Sequence, residues 1–142
     1  MNSGFMINGC SKLLRNRLNK ELEIEDITAS QFAVIKDIEM NSFLDKKEIK
    51  VTAVEIAERL GMDKPTISGI INRLIDKEYL EKQPNPTDKR SSILKLTKES
   101  KVKLPILEKI SNKVISDATN GLTDKEIEFF NDTLGKIIEN MR

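Results

Sequence analysis

Apolar residues recur at helical spacing in six stretches of the chain, and one short segment between the fourth and fifth breaks that rhythm. Over residues 5–22, Met6, Ile7, Cys10, Leu14, Leu18 and Leu22 form one stripe, with Arg15, Arg17 and Lys20 off it, which predicts a first helix. Thr28 is a candidate cap for a second helix, running through Phe32, Val34, Ile35 and Ile38 to about Phe43. The charged run DKKEIK that follows reads as part of a solvated loop at 44–50, and Val51 as a short extra strand.

The next two stretches are tied together by their punctuation. Thr52 with Glu55 three residues on has the capping-box arrangement for a third helix, which buries Ile56 and Leu60. Gly61 ends it, because a residue without Cβ takes a left-handed conformation at little cost. After a turn of helix-turn-helix length a fourth helix begins, capped by Asp63, with Pro65 in the first turn where a missing N–H costs nothing. Ile67, Ile70, Ile71, Leu74 and Ile75 share its core-facing side. The opposite side carries Pro65, Ser68, Gly69 and Asn72, flanked by Lys64, Thr66 and Arg73. It is small, polar and basic, with neither bulky apolar groups nor carboxylates, as a helix lying in a major groove requires. Gly69 inside a helix costs about 1 kcal/mol relative to Ala, and close approach to a nucleic-acid backbone is one reason to tolerate it.

The break in the helical rhythm reads as two short strands, 79–83 and 92–96, joined through Pro84, Asn85, Pro86, Thr87 and Asp88. A hairpin directly after a helix-turn-helix is a wing. Its tip holds Asp88, Lys89 and Arg90, and an arginine there suits the enhanced negative potential of a narrow minor groove. Asp88, two residues before Arg90, is placed to pair with the guanidinium and aim it. Beyond the wing, Thr97 caps a long helix through Val102, Leu107, Ile110, Val114 and Ile115, which Pro105 is expected to kink or delay. Asn120-Gly121 ends it. Thr123 with Glu126 forms another capping box, and Ile127, Phe130, Leu134, Ile137 and Met141 give the last helix a two-heptad seam.

Charge adds what net charge hides. The total is only +1, yet residues 1–61 carry −1, residues 62–103 carry +4 and residues 104–142 carry −2. The excess of positive charge coincides with the segment proposed to meet phosphate. Candidate chemistry mostly subtracts. With no histidine and one cysteine, the chain lacks the residues for His-assisted nucleophiles, most transition-metal sites or a structural zinc site, and no Gly-rich phosphate loop is present. No cofactor, metal or enzymatic activity is therefore expected. With no apolar run of membrane-spanning length, no visible signal peptide and no means of forming an intrachain disulfide, a cytoplasmic protein is expected.

Residues 51–97, above all PNPTDKR and the closing LKLT, resemble the MarR (multiple antibiotic resistance regulator) family of bacterial winged-helix transcription factors, and ITASQFAVIKDI at 27–38 is a weaker match. The family's Asp-x-Arg wing signature stands as Asp88-Lys89-Arg90. The resemblance implies a mainly α fold with a small β-hairpin wing: one domain over 1–142, with a winged-helix lobe at about 28–97 and dimerisation helices at about 1–22 and 98–142. It implies a homodimeric regulator of double-stranded DNA, a repressor of pseudo-palindromic operators released by a small aromatic or phenolic effector. The expected DNA-binding residues are Lys64, Pro65, Thr66, Ser68, Gly69, Asn72, Arg73, Asp88, Lys89 and Arg90. Other readings predict other features. A winged helix that binds protein would carry apolar groups on the 65–72 face. A helical enzyme or ligand carrier would carry an acid/base or metal constellation. Some relatives sense oxidants through a first-helix cysteine, but Cys10 lies on the apolar stripe and the single tyrosine, Tyr79, lies at the wing.

Overall fold

The structure, a computed structural model, describes residues 2–42 and 51–142. Among them the elements run α1 (Ser3–Leu22), a 3₁₀ turn (Glu23–Glu25), α2 (Ala29–Ser42), α3 (Ala53–Leu60), α4 (Lys64–Asp76), β1 (Leu80–Pro84), β2 (Ser92–Leu96), α5 (Lys98–Ala118) and α6 (Asp124–Met141). The fold is mainly helical with one antiparallel hairpin, whose register places Leu80 opposite Leu96 and Pro84 opposite Ser92. Phe43 and the expected loop at 44–50 lie outside the described residues. None of the described helices is long and apolar enough to cross a membrane.

Short polar side chains start the helices. Oxygens of Asn2, Asp63, Thr97 and Thr123 accept the backbone N–H three residues on, at 2.9, 2.8, 3.2 and 3.2 Å respectively. The box at Thr123 closes fully, since Glu126 accepts the Thr123 N–H at 2.8 Å. A second full box joins Thr28 and Gln31, each side chain accepting the other's N–H at 3.1 Å. The box expected at Thr52 closes in one direction only. Thr52 accepts the Glu55 N–H at 3.4 Å, whereas the Glu55 carboxylate faces Arg59 at 3.9 Å. Such caps contribute about 1 kcal/mol each.

The hydrophobic core lies in the middle of the chain. Phe32, Val34, Ile35 and Ile38 of α2 meet Ile56 of α3, Ile67, Ile71 and Leu74 of α4, and Leu80 and Leu94 of the hairpin. Leu22 at the end of α1 and Leu104 and Leu107 of α5 close it. Val51 is not part of a strand, but its carbonyl accepts the Leu94 N–H at 2.9 Å, so one bond stands where a ladder was expected. Pro105 does not delay α5, which starts at Lys98 and runs on through it to Ala118. Burial of Leu104 and Leu107 on either side of it holds the helix together against the cost of about 3 kcal/mol of an interior proline.

An ion pair between α2 and α3 orients the helix-turn-helix on this core. Arg59 Nε lies 2.9 and 3.1 Å from the two oxygens of Asp37, and one terminal nitrogen lies 2.8 Å from Oδ2. Asp37 is buried, and its bond to Arg59 holds the guanidinium pKa above its ordinary value. Arg59→Ala strands that carboxylate. The expected loss is about 2–3 kcal/mol in urea denaturation, below the value for a fully buried pair because Arg59 keeps some solvent contact. Replacing both partners, as Asp37→Leu with Arg59→Met, should recover most of it. A single variant as stable as the parent would show that the pair does not orient α3.

Candidate nucleic-acid interface

The turn between α3 and α4 is built from backbone bonds. Gly61 adopts φ 64°, and the Met62 N–H reaches back to the Ala57 carbonyl at 2.9 Å, a Schellman-type end that satisfies the last carbonyls of α3. Asp63 then caps α4. Bonds from the Thr66 side chain and backbone N–H hold its carboxyl below the usual range, so the cap is ionised at neutral pH and weakens only as acid protonates it. With Ile67, Ile71 and Leu74 anchored in the core, the rest of the helix has one orientation available. Lys64, Pro65, Thr66, Ser68, Gly69, Asn72 and Arg73 are all exposed. No carboxylate lies between Asp63 and Asp76.

Asn85 organises the hairpin turn. It is buried, its amide donates to Ser91 Oγ at 2.9 Å, and its Oδ1 accepts from both the N–H and the hydroxyl of Thr87, at 3.1 and 3.0 Å. Two backbone bonds, Asp88 N–H to Asn85 and Ser91 N–H to Asp88, complete the turn. The Asn-Pro-Thr run carries the Asx-turn signal for this arrangement, but composition alone placed Asn85 only among turn formers. The structure also corrects the role expected for Asp88. Its carboxylate accepts the backbone N–H of Arg90 at 2.9 Å and makes no ion pair with the guanidinium. A two-residue separation in a tight turn brings a short side chain to the backbone, not to the end of a long one. Asp88, Lys89 and Arg90 are exposed.

The ten expected residues thus form two groups, seven on α4 and three at the wing tip, and only three residues, 77–79, separate α4 from the first strand of the wing. Among the described residues Lys64, Arg73, Lys89 and Arg90 make no ion pair, whereas Lys77 and Lys103, which belong to neither group, do. A paired cation would first have to give up its partner; these four are ready to meet an anion. Cys10, expected on a buried stripe, is exposed in the single chain, because α1 is covered only towards its C-terminal end, where Leu22 is buried.

A family model described as MarR family matches residues 42–91, the stretch from the end of α2 to the wing tip. The multiple antibiotic resistance protein MarR of Escherichia coli (strain K12) is 36% identical over 80 residues, covering 56% of this chain and 51% of that protein, and the match to its Salmonella typhimurium counterpart has the same extent. The match therefore spans about half the length of these curated relatives. The crystal structure of wild-type E. coli MarR superposes with a TM-score of 0.80 at 27% identity, over 96% of this chain and 97% of that one. A mutant of the same protein complexed with operator DNA gives a TM-score of 0.79 at 27% identity, over 94% and 91%. Through the helix-turn-helix and wing the chain is similar to the MarR family, and over nearly its whole length it shares the fold of the E. coli MarR structures.

Proposed function

We propose that the chain is a sequence-specific DNA-binding transcriptional regulator, a cytoplasmic homodimer that represses from pseudo-palindromic operators. One observation carries this reading: the exposed, carboxylate-free face of α4, with its unpaired cations, is followed directly by a wing tip with two more. Thr66, Ser68 and Asn72 read base edges in the major groove, and Lys64 and Arg73 meet phosphates. Lys89 and Arg90 enter the adjacent minor groove. The operator-bound E. coli relative of the same fold supports this assignment. Two-fold symmetry sets the half-site centres about 34–36 Å apart. A small aromatic or phenolic effector, seated between the terminal helices and the winged-helix lobe, would release the DNA by changing that spacing, and DNA would weaken effector binding by the same factor.

Selection of bound duplexes from a random pool tests the reading. The expected product is an inverted repeat with that spacing; enrichment without any sequence preference would defeat it. Gly69 gives a second arm. A Cβ built there meets nothing within 4 Å, so the fold itself does not require glycine. Gly69→Ala should stabilise α4 by about 1 kcal/mol, yet lower operator affinity where the methyl meets the DNA. A variant that is more stable and binds as well as the parent would remove this part of α4 from the interface.

A further inference from the structure

Four parts of the chain meet where α4 ends. Lys77, the first residue past α4, turns its ammonium towards the corner between α1 and α2. There Nζ donates to the Asp26 carbonyl at 2.5 Å and to Gln31 Oε1 at 3.3 Å, with the Asp26 carboxylate 3.6 Å away. Gln31 is buried and its Oε1 also accepts the Thr28 N–H, so that acceptor is held in place. Asp26 presents its carbonyl from a left-handed conformation, φ 53°. Glu78, next along the chain from Lys77, is left-handed as well, φ 64°, and its carbonyl accepts the Thr97 hydroxyl at 2.6 Å. Thr97 is the N-cap of α5, and its N–H donates to the Tyr79 carbonyl at 3.2 Å. Six residues into α5, Lys103 pairs with Glu25 at 2.8 Å, which returns to the corner where Lys77 is bound.

These contacts close a ring through the α1–α2 corner, the end of α4, the start of the wing and the start of α5. Two non-glycine residues with positive φ sit in it, which only fixed surroundings sustain. We propose that the ring sets the angle of α4 against the long helices, and that Lys77 is a positioning residue for DNA recognition, holding the two α4 helices of a dimer at the separation the operator requires without itself touching base or phosphate. The inference rests on the DNA-reading function above. The lever is long enough to matter: α4 is about 20 Å long, so a rotation of ~10° at the ring moves its far end by roughly 3.4 Å, the rise of one base step.

The test uses the full chain and a series of operators whose half-site spacing is the selected one or differs by one base pair either way. Lys77→Met keeps the aliphatic stem and removes the donor. It should bind the selected spacing about tenfold more weakly, lose less on the altered spacings and so flatten the spacing profile, a change of the size that coupling mutations produce. Lys77→Arg should restore a narrow profile. Lys103→Met, on the other side of the ring, should flatten it in the same direction. Hydrogen exchange gives a reading without DNA: in Lys77→Met the amides of residues 78–80 should exchange faster while the α2–α3 core is unchanged. An equal loss at every spacing with a shallower salt dependence would make Lys77 a phosphate contact and overturn the proposal, as would a variant identical to the parent in both profile and exchange. If the unmodified protein shows no sequence preference at all, the regulatory reading fails first and this inference falls with it; a sharp parental profile with an equally sharp Lys77→Met profile defeats the inference alone.

Discussion

Arg90→Ala should weaken operator binding by about a hundredfold while leaving the order of base preference in the central half-sites unchanged. The turn that Asn85 organises carries the Arg90 backbone at its exposed tip, and the guanidinium makes no ion pair among the described residues. Nothing has to be broken before it enters a groove. Each lost contact of this kind costs about 1–3 kcal/mol, and a dimer loses two. Because a narrow minor groove is read by width and potential, the loss should be nearly the same on matched and centrally mismatched operators. Asp88 distinguishes two ways of aiming the arginine. In the structure it holds the Arg90 N–H, so Asp88→Asn, which keeps an acceptor, should retain most affinity and Asp88→Ala should lose a smaller factor than Arg90→Ala. A carboxylate–guanidinium pair would instead make Asn and Ala equally damaging. The double variant Asp88→Ala with Arg90→Ala should be less than additive, since the two residues act as one unit. Binding curves across salt concentrations decide the matter. Arg90→Ala binding like the parent would mean the wing tip does not meet DNA.

What the sequence makes legible is local. The caps Asp63, Thr97 and Thr123 stand three residues from their partners, and Gly61 is the residue a left-handed helix end calls for, so spacing alone places those boundaries. The exposed face of α4 was legible for a related reason: once Ile67, Ile71 and Leu74 are assigned to the core, helical geometry fixes what faces outward. Contacts between distant segments were not. Arg59 and Asp37 are 22 residues apart, and each alone looks like a solvated helix residue. Lys77 and Asp26 are 51 apart, and neither Asp26 nor Glu78 carries the glycine that normally announces a positive φ. In both, tertiary contacts hold a backbone that propensity disfavours. The terminal helices show the opposite limit. Periodicity placed Ile127, Phe130, Leu134, Ile137 and Met141 on one stripe of α6, yet only Ile127, Leu134 and Ile137 are partly covered, while Phe130 and Met141 are as open as Phe129 and Ile138 off the stripe. A period says which residues share a face and is silent about which face has a partner.

Ending the chain after Gly121 should convert a dimer into a species that aggregates or loses operator binding. In the single chain α6 has eighteen residues, and none of them is buried. Phe129, Phe130, Ile138 and Met141 are 74%, 46%, 52% and 82% exposed. An isolated helix of this length is marginal in water, so a partner surface is expected to supply what its own chain does not. The magnitudes show how much. Covering these four side chains on two copies contributes about 1.5–3 kcal/mol each. Association costs about 4–15 kcal/mol, and a micromolar dimer needs a net of about 8 kcal/mol. The last helix alone would meet that demand without margin. The exposed Phe5, Met6 and Leu13 of α1 are expected to add to the same interface. Truncation should remove more than half of this surface and leave the core residues of α2, α3 and α4 untouched. Sedimentation of the intact chain should show a dimer at micromolar concentration. For any truncated protein that stays soluble, operator affinity should fall to that of a single half-site, about a hundredfold or more below the dimer's, because the second half-site is no longer held at high effective concentration. A soluble truncated monomer that binds the full operator as tightly as the intact protein would sink the dimer model and the symmetric operator with it.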